Sequence, residues 1–383
     1  MGIPRASAQC GGPVMKVVVF GLTISSSWGN GHATLWRGLC KALSRKGHRV
    51  VFFEKNEPYY ALNRDLFHIP GGELVFYDEW EAVCRRAELE VADADVAMVT
   101  SYCPDGLAAT DVILNGKRAA KVFYDLDTPV TLSRLQGRET MTYIGATGLA
   151  GFDLVLSYTG GLALDRLRTE LGAKRVAPLY GHVDPDAHRP QQGVSRYASD
   201  LSYLGTYAPD RQAMLSRLFI EPARAMVQSR FAIAGAQYPD DFPWLPNIFF
   251  VRHLPPAEHS AFFSASRLTL NVTRKAMAEM GWCPSGRIFE AAACGAPVLS
   301  DKWDGIDSFY KPGSEILIVE TTDDVLNALE LGDRELRAIA EAARARTLAE
   351  HTSECRAKEF EKLASEIGSV PSRGTRSDAM VEV

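Results

Sequence analysis

The stretch Pro284-Ser285-Gly286-Arg287-Ile288-Phe289-Glu290-Ala291-Ala292-Ala293-Cys294-Gly295-Ala296-Pro297-Val298-Leu299-Ser300-Asp301 reads as a ligand-receiving turn, a short helix of small residues and a buried strand in direct succession. A helix opened by Ser285 and Gly286 leaves its first backbone NH groups without intrahelical partners and turns its positive end outward, which suits an anion such as phosphate. Glu290 follows one turn later, where a carboxylate would repel phosphate, so its natural partner is a neutral hydroxyl-rich group such as a ribose. An ordinary αβ unit with Glu290 on a solvated face fits the same letters.

Outward from this stretch, the chain alternates short apolar runs with amphipathic helices, the pattern of a parallel sheet covered on both faces. Strands are predicted over 16–21, 49–53, 73–77, 95–101, 121–124, 153–157 and 176–179, then over 201–204, 230–234, 248–251, 267–271, 297–300 and 315–319. The clearest helix spans 33–45, with Leu35, Leu39, Ala42 and Leu43 as its apolar stripe and Gly47 as its stop. A polar, Pro-bearing segment over 182–198 divides the chain into similar halves and reads as an interdomain linker. The closing helical stretch is interrupted at His351-Thr352-Ser353, which predicts two helices and a return toward the first half.

The expected organisation is therefore α/β throughout: a loose tail over 1–14, a first domain over 15–183, a second over 184–350, a crossing helix over 351–367 and a second loose tail over 368–383. Met15 is a plausible alternative start. With 383 residues, two cores are expected rather than one. The formal net charge of -5 argues against a nucleic-acid binder, since there is no basic surplus to neutralise a phosphate backbone. The seven cysteines are scattered without a CxxC pair, which suggests neither a disulfide framework nor a zinc site. No signal peptide or membrane span is read, so a cytoplasmic protein is expected.

Four further segments lie where strands hand over to helices. Gly21 is followed by a small-residue loop ending Gly29-Asn30-Gly31-His32, in which the glycines admit a ligand to the backbone and His32 could touch phosphate or act as a base. The spacing differs from GxGxxG, although Glu54 stands where a dinucleotide fold keeps its ribose-binding acid. Asp125 and Asp127, in Tyr124-Asp125-Leu126-Asp127-Thr128-Pro129, could take a proton from an acceptor hydroxyl, or Asp127 or Thr128 could simply cap the helix that Pro129 opens. Thr206 and Arg211 follow the first strand of the second half, where Arg211 could hold a diphosphate bidentately. Arg274 and Lys275 end a later strand and could share a site with Arg287, their charge offsetting a departing diphosphate without a metal.

With those residues in hand, the chain resembles the CgeB-type, group 1-like bacterial glycosyltransferases, over nearly all of 16–367. The likeness is carried by GNGHATLWRGL at 29–39, YDLDTPVTL at 124–132, YLGTYAPDRQ at 203–212, SRLTLNVTR at 266–274 and PSGRIFEAAACGAPVLSD at 284–301. The resemblance implies the GT-B fold: two Rossmann-like domains facing a cleft, an acceptor held mainly by the first, a nucleotide sugar held mainly by the second, and a helix crossing back. It places Ser285, Gly286 and Arg287 on the diphosphate, Glu290 on the ribose or sugar, Thr206 and Arg211 on the phosphates, and Gly29 to His32 on the facing side of the cleft. Retaining members of the broader group carry two glutamates eight positions apart, whereas Trp282 stands eight before Glu290 and Glu279 is displaced by three. The expected reaction moves a sugar from a nucleoside diphosphate sugar, a uridine one by preference, to a hydroxyl of an unknown acceptor, with no cofactor and no metal. The alternatives are an epimerase of the same fold, a nicotinamide-linked oxidoreductase and a non-catalytic nucleotide-sugar binder. The loops 56–72 and 136–151 are expected to select the acceptor.

Overall fold

The structure, a computed structural model, describes residues 13–367, so most of the expected N-terminal tail and all of the C-terminal one lie outside the described residues. Seven strands, β1 (Lys16–Gly21), β2 (Arg49–Lys55), β3 (Glu73–Tyr77), β4 (Val96–Thr100), β5 (Ala120–Asp125), β6 (Leu154–Ser157) and β7 (Val176–Pro178), form the first sheet. Six more, β8 (Ser199–Leu204), β9 (Phe231–Gly235), β10 (Ile248–Arg252), β11 (Ser266–Asn271), β12 (Val298–Ser300) and β13 (Leu317–Ile318), form the second. All pairings are parallel; the orders are β3-β2-β1-β4-β5-β6-β7 and β10-β9-β8-β11-β12-β13. Both sheets thus reverse direction beside their first strand, between β1 and β4 and between β8 and β11, and a crevice opens at the strands' carboxyl ends at such a point.

The continuous apolar strands follow from burial on both faces. In β1, Val17 and Val19 face the helix His32–Arg45, whose Trp36, Leu39 and Leu43 complete that layer, while Val18 and Phe20 face Val83, Ala87 and Ile113 on the other side. The second half repeats the scheme, with Ile288, Phe289 and Ala292 of the helix Gly286–Ala293 on one face and Leu218, Phe219 and Val325 on the other.

The segment read as a polar linker runs between the two sheets and is anchored along its way. His182, Val183 and His188 are buried, and Val183 forms a parallel bridge with Thr352: its NH donates to His351 O at 3.0 Å and its carbonyl accepts from Ser353 N at 2.8 Å. Polar side chains masked this because their partners lie far along the chain; the His182 ring, for example, is 3.0 Å from Ser353 Oγ. The helices Asp333–Glu350 and Ser353–Ile367 part at the same place, where Thr352 Oγ1 accepts from Cys355 N and caps the second. That closing helix crosses to the first sheet, burying Ala357, Phe360 and Ala364 beside Trp36 and Leu39 and pairing Glu361 with His48 at 2.6 Å.

Candidate functional site

A cavity of about 490 Å³ lies between the carboxyl edges of the two sheets. Its first-domain wall is Gly29 to His32, Tyr60, Tyr102, Asp127 and Tyr158; its second-domain wall is Gly205 to Pro209, Arg211, Gln237, Asn271 to Arg274 and Ser285 to Arg287, with Glu290 at the edge.

The loop after β1 is shaped by Glu54, which is fully buried and accepts from Ile24 N at 2.8 Å, from Ser25 N at 3.0 Å and from the Ser25 hydroxyl. Its oxygens are thereby committed, and the dinucleotide expectation loses its ribose-binding acid. Asn30 spans the same loop: Nδ2 donates to Thr23 O at 3.2 Å, and Oδ1 accepts from His32 N at 3.0 Å to start the helix. Gly29 adopts φ +60°, and a Cβ there would meet Tyr59 Oη at 2.7 Å, whereas a Cβ on Gly31 would meet open space. The backbone at Gly31 is thus bare toward the cavity.

His32 Nε2 stands 3.9 Å from Asp127 Oδ1, and the other oxygen of Asp127 accepts from Tyr102 Oη at 2.8 Å. Asp127 occupies the N-cap position of the helix Thr128–Gln136 but its side chain makes no capping bond, so the capping explanation for this residue fails. Asp125 is a different matter. It is wholly buried behind Asp127, accepting from Asp127 N at 3.1 Å and Thr131 Oγ1 at 3.0 Å, and burial lifts its pKa to about 6. The alternation of side chains along β5 turns it into the fold, and the structure does not bring it to the cavity.

On the facing wall, Ser285 caps the helix Gly286–Ala293 through Oγ, which accepts from Arg287 N at 3.3 Å. Glu290 is buried, not solvated. Its carboxylate is held by Arg287 Nη1, by Thr34 Oγ1 of the first domain at 3.0 Å, and lies 3.6 Å from His259 Nδ1 and 3.8 Å from His188 Nε2. Burial acts to raise the Glu290 pKa, but the Arg287 charge and the two imidazoles hold it well below the usual carboxylate range. The His259 ring is fixed by Nε2 facing Leu254 O at 3.2 Å, and burial lowers its pKa to about 4.

Arg211 Nη1 donates to Thr206 O at 3.2 Å and Arg274 Nε to Asp210 at 3.1 Å, so these cations are braced beside the cavity. Lys275 is not with them. It opens the helix Lys275–Met280 with a largely exposed side chain turned along the surface to Glu279 at 3.8 Å. Arg274, Arg287 and Arg211 therefore make the cationic wall.

Trp282 lies off this wall. It adopts φ +43°, its NH donates to Asp304 O at 2.6 Å, and its carbonyl accepts from Gly160 N of the first domain at 2.9 Å. Its indole fills the space that a Cβ on Gly161 or Gly305 would enter, at 2.6 and 2.4 Å. Sequence reading missed Tyr102 and Tyr158, although both follow strand ends, where the same edge argument applies. It also missed His188, Thr34 and His259, which no local pattern marks. Among the described residues, His188, His259 and Glu290 form the one cluster with metal-ligand spacing, and the Arg287 guanidinium, 3.5 Å from His259 Nδ1, already supplies a cation there.

Residues 211–362 match the sequence profile of a family described as glycosyl transferase-like. No curated protein matches the chain. Among solved structures, a sucrose-phosphate synthase from Thermosynechococcus elongatus superposes with a TM-score of 0.66 at 13% identity, covering 92% of this chain and 99% of that one. The Anabaena protein HepE in complex with UDP-glucose gives 0.65 at 12% identity, covering 92% and 100%. An alpha-glucosyltransferase bound to UDP-glucose and DNA gives 0.66 at 13%, again covering 92% and 100%. Identities this low establish the fold, which is GT-B over the described chain.

Proposed function

We propose that this chain is a glycosyltransferase that moves a sugar from a nucleoside diphosphate sugar, a uridine one, to a hydroxyl of an acceptor other than nucleic acid. The observation that carries the reading is one cavity in which the capped helix start at Ser285 and Gly286 and three arginines face a His32–Asp127 pair from the opposite domain. Helix NH groups and guanidinium charge stabilise a departing diphosphate, and a basic pair can accept the hydroxyl's proton. Thr206, Arg211, Arg274, Ser285, Gly286 and Arg287 would hold the diphosphate and Glu290 the ribose or sugar, with no metal needed because the cavity already carries positive charge. The glycosyl transferase-like profile over 211–362 and the UDP or UDP-glucose bound by two fold neighbours support the donor class. The net charge of -5 favours a non-nucleic acceptor.

A thermal-shift panel of nucleotides and nucleotide sugars tests this, since a ligand of the native state raises the melting temperature. UDP and a UDP-sugar should shift it most, and Arg211→Ala and Arg287→Ala should each weaken UDP affinity about tenfold or more, in keeping with the loss of a charge-assisted contact of about 1.5–3 kcal/mol. Unaltered affinity and turnover in both variants would sink the assignment.

A further inference from the structure

We propose that the aromatic surface beside the free edge of the second sheet binds a neutral glycan chain, whose end the cavity receives as acceptor. The binding surface stands on its own observations; only the tie to transfer rests on the glycosyltransferase reading. β10 is the outer strand of that sheet, and Phe249 and Phe250 in its middle are 44% and 39% exposed. Phe249 is covered by the Arg230 guanidinium, 3.9 Å from its ring centre, whereas Phe250 joins a cluster: its ring lies 4.8 Å from that of Trp244 and 5.2 Å from that of Tyr238. Phe242, which is buried, lies 4.5 Å from Trp244 and 5.0 Å from Tyr238 and holds both in place. Such a set is more than the scattered apolar side chains that any surface carries. Tyr238 also sits 5.6 Å from Tyr207, which lines the cavity. Across the same opening Gln237 Nε2 donates to Tyr59 Oη at 3.1 Å, and the Tyr59 ring packs edge-on, 5.0 Å away, against Tyr60, another lining residue. The aromatic face therefore runs without a break from the sheet edge into the cavity.

Rigidity and charge decide the occupant. The loop 236–247, which carries Tyr238, Phe242 and Trp244, contains three prolines, Pro239, Pro243 and Pro246. Within it Phe242 N donates to Pro239 O at 3.1 Å and Trp244 N to Phe242 O at 2.7 Å, and Tyr238 Oη ties it to Gly205 O, after β8, at 3.1 Å. A surface fixed in this way loses little conformational freedom when a ligand arrives. The C–H face of a pyranose is apolar and packs on an aromatic ring, while the hydroxyls around its edge need acceptors. Asp240 and Asp241 stand between Tyr238 and Phe242 in the same loop, exposed and without a hydrogen bond or ion pair among the described residues, and they supply those acceptors. The same two carboxylates repel a phosphate backbone or an anionic bilayer. Arg230 does not offset them, being engaged with Phe249 and with Arg196 O at 2.9 Å, and Arg252 is the one cation on the strand itself. A chain of uncharged sugars meets both the rings and the carboxylates.

The test titrates the full chain with maltohexaose, cellohexaose and chitohexaose by calorimetry, with glucose as the single-ring control. At least one hexasaccharide should bind about tenfold or more tighter than glucose, and Trp244→Ala and Phe250→Ala should each lose about three- to tenfold of that affinity, the measure of one aromatic contact. Trp244 is half-buried, so Asp240→Asn with Asp241→Asn, which leaves every ring in place, serves as the second variant and should weaken the glycan about threefold or more. UDP affinity should be unchanged in all three variants. With UDP-glucose, UDP-galactose and UDP-N-acetylglucosamine as donors, the hexasaccharide that binds should gain a sugar by mass spectrometry, and the ring variants should raise its KM while kcat stays. No hexasaccharide tighter than glucose, or glycan affinity unaltered in every variant, would overturn the proposal. So would a dimer in light scattering that Phe250→Ala dissolves, or capture of phosphatidylserine vesicles or an oligothymidylate in preference to every hexasaccharide. A glycan bound but never extended, by a chain that binds UDP, would overturn its role as acceptor. Failure to bind UDP and all three donors would overturn the glycosyltransferase reading and leave the glycan site standing.

Discussion

Glu290 shows what a single residue discloses from sequence and what it withholds. Its position one turn into the helix that opens at Ser285 was legible, because helix periodicity fixes that distance. Its partners were not, since Thr34, His188 and His259 come from three separate segments that only the fold assembles. Buried imidazoles carry a testable consequence at this scale. Burial lowers the pKa of His182 to about 3 and of His259 and His351 to about 4, so between these values and the ordinary 6.5 the unfolded chain binds more protons than the folded one. Stability is accordingly complete above pH 6.5 and drains as pH falls toward 4. Asp125 and Asp301, raised to about 6, act in the opposite sense below that pH because the folded state holds their protons. As pH falls from 7 to 6 the three imidazoles of the unfolded chain take up more protons than these two carboxyls of the folded one, so the melting temperature should decline there; a melting temperature that is flat or rising across that interval would contradict the neutral buried state of these rings.

At the scale of elements, the strands and the first helix followed from apolar runs and periodicity, whereas β13 shortened to Leu317–Ile318 because an edge strand has fewer neighbours to hold it. The linker's anchorage was not legible since its partners stand about 170 residues away, beyond any local pattern; the span is that of the His182–Ser353 contact. Asp125 and Lys275 were misplaced for a similar reason: sequence tells that a residue ends a strand, but its rotation about that end decides whether it meets the cavity. The closing helix Ser353–Ile367 is an element whose contribution can be measured. Phe360, 2% exposed within the first core, should cost about 3–5 kcal/mol when replaced by alanine, read as a shift in urea midpoint. A change below about 1 kcal/mol would show that this helix does not belong to that core.

For the whole molecule, the two halves meet around the cavity through contacts that include Thr34 with Glu290, Tyr158 with Pro284, Gly160 with Trp282, Thr159 with Cys283, Gln237 with Tyr59 at 3.1 Å and the Trp28 ring 4.2 Å from that of His253. They join the wall that carries His32 and Asp127 to the wall that carries Ser285 and Arg287. Removing two of them, in Thr34→Val with Tyr158→Phe, should enlarge the radius of gyration seen by small-angle scattering and raise the donor KM about tenfold, as two hydrogen bonds of about 1 kcal/mol each allow. Unchanged scattering and KM would mean that other contacts hold the cleft.

The chain leaves the first domain at Val183 and re-enters it at Thr352, and the bridge between these two residues lays both passages side by side. In genetic terms, the second half is an insert within a discontinuous host. Exchanging it for a homologous half therefore calls for two crossover points, one at each side of that bridge, since a single junction would graft a foreign final helix onto the Trp36 and Leu39 face.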